Sequence, residues 1–246
     1  MGEARSITSR ALIVTPTYNE RANLERFVAS VRAAAPDADL LIVDDASPDG
    51  TGELADKIAA RDPKVRVLHR PGKLGLGTAY VDAFTKGLEE GYDYFFEMDA
   101  DGSHDPRYLA DFFRELRAGA DVVVGSRNIP GGGVEGWGLG RHVLSKGGSL
   151  YSRVILGVPV RDLTTGYKAF TRRALETIGL SDIRSNGYSF QIEMTYRALK
   201  RGLSVVEVPI VFVDRTVGQS KMSQRIFLEA VGVVWRLRFE SARGKL

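Results

Sequence analysis

The chain has 246 residues, 43% hydrophobic and 26% charged, with 34 Lys and Arg against 31 Asp and Glu for a formal charge of +3. These are ordinary globular values, and they exclude wholesale disorder and fibrous repeats. With no Cys and only three His (His69, His104 and His142), disulfide staples, thiolate zinc sites and thiol catalysis are excluded, and any metal site must rest mainly on carboxylates.

The first half alternates short apolar runs with helical patterns. Ala11–Pro16 reads as a buried strand, and Asn23–Ala35 as a helix with Leu24, Phe27, Val28 and Val31 on one face. A strand at Leu40–Asp44, a short helix at Glu53–Ala60 and a strand at Val65–His69 follow. Then come a helix at Leu76–Gly91, a strand at Tyr94–Asp99, a helix at Pro106–Ala118 and a strand at Asp121–Gly125. Non-alternating apolar strands separated by helices predict an α/β fold, a mostly parallel sheet covered on both faces. Ligands of such sheets bind beyond the carboxyl ends of the strands, where the polar segments 15–20, 44–49, 70–77 and 99–105 fall.

The second half is less regular. Residues 128–140 are Gly-rich and read as a mobile loop. Helices are expected at Val143–Leu156, Tyr188–Lys200 and Ile226–Phe239, and one or two strands across Ser204–Val213, interrupted by Pro209. A single domain, 1–246, is expected, with a donor-binding half at about 10–127, an acceptor-binding half at about 128–221 and a C-terminal amphipathic helix at 222–241. The N-terminus has no apolar core of signal-peptide length, and no run of about 18 apolar residues is long enough to span a bilayer.

The acidic pair Asp99 and Asp101 carries the sharpest chemical signal. Two carboxylates leave a buried strand one residue apart, and in extended backbone residues i and i+2 point the same way. Hard oxygen donors in that arrangement suit Mg²⁺ or Mn²⁺, which also takes phosphate oxygens; the alternative is a pair of solvated turn aspartates. Asp44 and Asp45 follow the second strand and precede a Pro-Asp-Gly turn, where one could accept hydrogen bonds from a ribose or base. The first strand ends in Pro16-Thr17-Tyr18-Asn19-Glu20, with a ring for base stacking and a carboxylate acceptor, although Asn19 and Glu20 could equally cap a helix. Neither G-x-G-x-x-G nor a P-loop occurs, which disfavours nicotinamide, flavin and P-loop chemistry. The Gly-rich stretch 72–79 offers backbone N–H groups that could meet a phosphate or simply open a helix. Arg127, Arg141, Arg215 and Lys221 lie in loops, where such cations can grip phosphate.

In order, VTPTYNE, IVDDASPDGT, RPGKLGLGTAY, EMDADGSHDP, VVGSR, GGGVEGWG, DLTTGYKAF, SNGYSFQIEM and VPIVFVDRTVGQSK span about Ala11–Lys221. Together they resemble the inverting family-two glycosyltransferases of the GT-A fold, and more narrowly the polyprenol-monophosphate (dolichol-phosphate) mannose synthases. The resemblance implies that Pro16, Tyr18, Glu20, Val43 and Asp45 contact the nucleotide. It implies that Asp99, Ala100 and Asp101 hold the metal and the sugar diphosphate, and that Arg215 and Lys221 clamp the diphosphate. Arg127 would lie between donor and acceptor phosphates, with Arg141 and Ser145 near the lipid phosphate. Ser103 stands where some relatives carry a Gln metal ligand, which leaves a third side-chain ligand open.

The implied reaction is transfer of mannose from GDP-mannose to polyprenyl (dolichyl) phosphate, with Mg²⁺ or Mn²⁺ as cofactor. An anionic phosphate nucleophile needs no strong base, and His104 reads as a turn residue. The lipid acceptor implies a cytoplasmic protein attached peripherally to the cytoplasmic face of a membrane, through residues 143–156 or 226–239, or through a separate membrane partner. The rivals are transfer of glucose or another sugar on the same fold, and a non-catalytic nucleotide-sugar-binding subunit. A Q-x-x-R-W element of elongating relatives is missing, and no nucleic-acid reader motif appears.

Overall fold

A computed structural model of the chain describes residues 9–136, 138–214 and 224–246, with side chains for all of these except 139, 141–144 and 224–230. The first half alternates β1 (Ala11–Thr17), α1 (Arg21–Ala34), β2 (Asp39–Asp44), α2 (Thr51–Ala59), β3 (Val65–His69), α3 (Leu76–Glu89), β4 (Tyr94–Glu97), α4 (Leu109–Arg117) and β5 (Val122–Ser126). The second half adds β6 (Gly133–Glu135), α5 (Leu139–Leu156), β7 (Lys168–Thr171), α6 (Arg172–Ile178), α7 (Gly187–Lys200), β8 (Val205–Pro209), β9 (Val211–Val213) and α8 (Gln224–Ala242).

Seven strands form one sheet in the order β3-β2-β1-β4-β7-β5-β8, and β6 pairs with β9 in a small second sheet. All pairs are parallel except those made by β7, which runs antiparallel to β4 and β5. Alternate residues of each strand feed opposite faces, as a period of two requires. Leu12, Val14, Leu41, Val43 and Phe95 pack with α3, α6, α7 and α8. Ala11, Ile13, Leu40, Ile42 and Phe96 pack with α1, α2 and α4. Burial on both faces explains why these strands read as continuous apolar runs.

The structure departs from the sequence expectations in three places. β4 ends at Glu97, and Ala100–Gly102 turns, with Gly102 at φ +81°. Asp99 and Asp101 therefore converge through a turn and not through strand alternation. β7 and α6 were not anticipated; the KAF run is too short to show a period and carries a Lys inside the core. The Gly-rich stretch holds β6, and α5 begins at Leu139 instead of Val143. Ser204–Val213 holds two strands, as the sequence allowed; they lie in different sheets, with Pro209 closing β8 at a point where its missing N–H costs no ladder bond.

Candidate active site

The carboxyl ends of β1, β2 and β4 and the N-terminus of α7 surround a cavity of about 500 Å³. Pro16, Tyr18, Glu20, Asp45, Asp99, Ala100 and Asp101 all line it. Val43 does not: its side chain is fully buried in the core, and in the β1–β2 ladder it stands opposite Pro16.

At β1, Asn19 adopts a left-handed φ of +61°, and its N–H donates to Ser47 Oγ at 3.1 Å. Glu20 precedes α1 without capping it through its side chain; its carboxylate accepts from Asn23 Nδ2 at 2.9 Å. The two acids after β2 part company. Asp44 is turned inward and accepts from Thr17 Oγ1 (2.9 Å), Ser47 Oγ (2.6 Å) and the Ser47 N–H (3.0 Å). Asp45 faces the cavity and pairs with buried Arg70 at 3.0 Å, and the backbone N–H groups of Leu74 and Gly75 lie close enough to favour its charged form. Burial raises its pKa, opposed first by the Arg70 charge.

The Gly-rich loop is committed to the protein. Leu74 and Gly75 serve Asp45, and the Gly77 N–H donates to Asn186 Oδ1 at 2.8 Å. Gly75 sits at φ +105°, and a Cβ there would lie 2.0 Å from Asn186 Nδ2, so glycine is required by both conformation and space. Lys73 extends from this loop over the Tyr18 ring, 4.2 Å from its centroid.

After β4, the Asp99 N–H donates to His104 Nδ1 at 3.0 Å, which puts the imidazole proton on Nε2. His104 is buried and stacks on Tyr167, with centroids 5.0 Å apart. It fixes the backbone of the acidic turn. Asp101 Oδ1 accepts from the N–H and hydroxyl of Ser103. Ser103 thus orients Asp101 and is itself buried, which removes it as a third metal ligand. Among the described residues no group of three His or acidic side chains could hold a metal. The site fits a cation that takes two carboxylates from the protein and the rest of its shell from diphosphate and water, the habit of Mg²⁺ and Mn²⁺.

Arg127 lies at the end of β5, at a seam. Its Nε and Nη2 make a bidentate pair with Asp162 at 2.7 and 2.8 Å, and Nη2 also donates to Thr164 Oγ1 at 3.0 Å. Burial disfavours both charges, yet the pairing wins: Arg127 is raised and Asp162 lowered from their ordinary values. Thr164 lines the large cavity, whereas Arg127 lines a second one of about 60 Å³ with Ser145 and Lys146. Arg141 lies in the first turn of α5, where its side chain is not described, and Arg215 and Lys221 fall outside the described residues.

Thr164, Gly166, Asn186, Tyr188 and Gln191 line the large cavity and Asp162 holds Arg127, yet none of the six was assigned a role from sequence. They sit in the DLTTGYKAF and SNGYSFQIEM segments, whose order could be read while their approach to the DxD turn could not.

The glycosyl transferase family 2 profile matches residues 12–179. The chain belongs to that family. This glycosyltransferase is 51% identical over 242 residues to polyprenol monophosphomannose synthase of Mycolicibacterium smegmatis, covering 96% of this chain and 91% of that one. It is 49% identical over 241 residues to undecaprenyl-phosphate mannosyltransferase of Micrococcus luteus, covering 96% and 99%. Glucosyl-3-phosphoglycerate synthase from Mycobacterium tuberculosis, solved with Mn²⁺, UDP-glucose and phosphoglyceric acid, superposes with a TM-score of 0.67 at 19% identity, over 94% of this chain and 80% of that one. At that identity the likeness speaks for the GT-A fold alone.

Proposed function

We propose that this glycosyltransferase moves mannose from GDP-mannose to a polyprenyl phosphate, with inversion at the anomeric carbon. The observation that carries the reading is the seam at Arg127. One guanidinium is bonded to Thr164 on the wall of the donor cavity and lines the pocket that holds Ser145 and Lys146. A cation so placed can face a leaving diphosphate on one side and an attacking phosphate on the other. The mannosyltransferase relatives act as support for the sugar and the lipid acceptor.

Tyr18, Glu20 and Asp45 would hold the nucleoside, and Asp99 and Asp101 the metal. When bound, Mg²⁺ or Mn²⁺ would supply charge neutralisation at the diphosphate as the glycosidic bond breaks. The acceptor phosphate is already anionic at neutral pH, so no side chain need remove a proton. His104 fits that logic, because its Nδ1 lone pair is occupied by the Asp99 N–H. Arg141, Arg215 and Lys221 remain assigned to the phosphates by resemblance.

Peripheral membrane attachment follows from the acceptor. No helix among the described residues is long and apolar enough to cross a membrane. On α5, Leu150 and Val154 are 58% and 67% exposed, one and two turns beyond Ser145 and Lys146. On α8, Trp235 and Phe239 stack at the surface, whereas Arg236 turns inward to Glu193 at 2.9 Å and so is not a headgroup contact. Anionic liposomes should pellet the protein more than neutral ones, and Leu150→Glu/Val154→Glu should abolish the difference; equal, negligible pelleting of active protein rejects peripheral attachment.

The deciding assay offers GDP-mannose, GDP-glucose, UDP-glucose and UDP-N-acetylglucosamine, each radiolabelled, with polyprenyl phosphate, and scores extraction of label into organic solvent. GDP-mannose should dominate and chelator should stop transfer. Preference for another nucleotide sugar replaces the donor, and transfer that survives chelation removes the metal.

A further inference from the structure

The floor of the donor cavity holds a polar side chain that the reading above does not use. Gln191, in the second turn of α7, is 1% exposed and lines the cavity. Among the described residues neither its Oε1 nor its Nε2 makes a well-formed hydrogen bond. A buried amide with both ends open is costly, and native cores do not keep one without a reason. Its nitrogen lies 3.8 Å from the point where a Cβ on Gly166 would stand, and Asp99 Oδ2 lies 3.8 Å from the same point. The absent side chain of Gly166 therefore leaves a small space bordered by the acidic turn and by the Gln191 amide. In this enzyme the group that follows a diphosphate bound at Asp99 is the donor sugar.

Beneath Gln191 lies a second polar layer. Glu97 and Lys168 are cross-strand partners in the β4–β7 ladder, and both are fully buried. Lys168 Nζ donates to the Gln191 backbone carbonyl at 2.6 Å. Burial pushes the Glu97 carboxyl up to about 7, opposed first by the Lys168 charge and then by the neighbouring Gln191 amide.

We propose that Gln191 reads a hydroxyl of the donor sugar, with Lys168 as a positioning residue that fixes its backbone. The inference rests on the donor-cavity reading above and adds a specificity-determining residue to it. A site built to hydrogen-bond a substrate hydroxyl rejects the analogue that lacks it, because the buried amide is then left unpaired.

The test is a double-mutant cycle between protein and substrate. Wild type, Gln191→Met (of similar volume) and Gln191→Ala are compared on GDP-mannose and on its 2-, 3-, 4- and 6-deoxy analogues, with GDP as competitive inhibitor. In wild type, one deoxy analogue should lose roughly tenfold or more in kcat/KM; in Gln191→Met the full substrate should lose a similar factor and that analogue little more. Inhibition by GDP should stay within about twofold, since GDP carries no sugar. If every deoxy analogue loses as much in the variants as in wild type, or if GDP inhibition weakens in step with the donor, the inference is overturned and Gln191 is structural. Should wild type prefer UDP-glucose, the donor reading fails by itself, and the same cycle on deoxy analogues of UDP-glucose with UDP decides Gln191. A wild type that turns over neither donor overturns both. Should Gln191→Met and Gln191→Ala both fail to fold, the wild-type deoxy series decides: equal use of all four analogues overturns the assignment.

Discussion

On the donor side of the sheet, each acid that faces the cavity is held before any ligand arrives. Asp45 has Arg70, the Asp99 backbone has His104, and Asp101 has Ser103. On the acceptor side the equivalent anchor is a cation, and it is already gripped by an anion, the fully buried Asp162. On the proposed reading, the donor site would be preset for a metal and a nucleotide, whereas an acceptor phosphate would share Arg127 with a resident carboxylate. Asp162 holds the guanidinium aligned, but its opposite charge also offsets part of the attraction that Arg127 could exert on an anion. Among the described residues of that pocket, the exposed Lys146 and the Ser145 hydroxyl beside it would add to the pull on an incoming anion.

Breaking the donor side should produce the largest effect. Asp101→Ala should lower turnover by on the order of a thousandfold with the fold intact by circular dichroism, since it removes a carboxylate facing the diphosphate. Unchanged turnover would reject the metal role. On the acceptor side, Asp162→Asn should behave differently. It leaves Arg127 buried without its counter-charge, and urea unfolding should show a loss of about 3 kcal/mol or more. If stability holds while only acceptor KM changes, Asp162 tunes the phosphate site without supporting the fold.

A smaller effect sharpens the contrast within the donor side. Asn186→Ala frees the Gly77 N–H and unpins the Gly-rich loop from α7. One lost hydrogen bond of about 1 kcal/mol predicts a roughly fivefold rise in donor KM, with acceptor KM unchanged. The smallest effect lies away from both half-sites. Arg66 holds the Glu90 carboxyl down to about 2 from the ordinary 4.5. A lowered acid stabilises the fold above its unfolded pKa, and that contribution is lost as pH falls from 4.5 through about 2. The pair is 35% and 29% exposed, so solvent screening reduces Glu90→Gln to a cost of about 0.5–1 kcal/mol at pH 7. Melting curves of variant and wild type should converge as pH falls across that interval, and a constant gap would assign the effect to packing.

The first half of the fold was legible because its strands, edge strand β3 excepted, are buried on both faces and each helix has its own apolar stripe; only boundaries moved. β7 was not, because Lys168 interrupts an apolar run of three and its neutraliser, Glu97, lies in a distant strand. The acids and Arg127 could be picked out since their types and loop positions carry chemistry by themselves. Asp162, Asn186 and Gln191 could not. Their significance lies in what they touch across 35, 109 and 94 residues of chain, which no local spacing encodes.

The single antiparallel strand has a consequence for how the molecule comes into being. β4 and β5 are separated in the sheet by β7, which the ribosome delivers more than 40 residues after β5. Until Lys168–Thr171 emerges, the sheet β3-β2-β1-β4 ends in a raw edge at Tyr94–Glu97, Val122–Ser126 has no partner strand, and Glu97 lacks its counter-ion. Closure is therefore a late, long-range event, and such events are slow. A chain halted before residue 168 would present two sticky strands, the form in which aggregation or chaperone capture competes with completion.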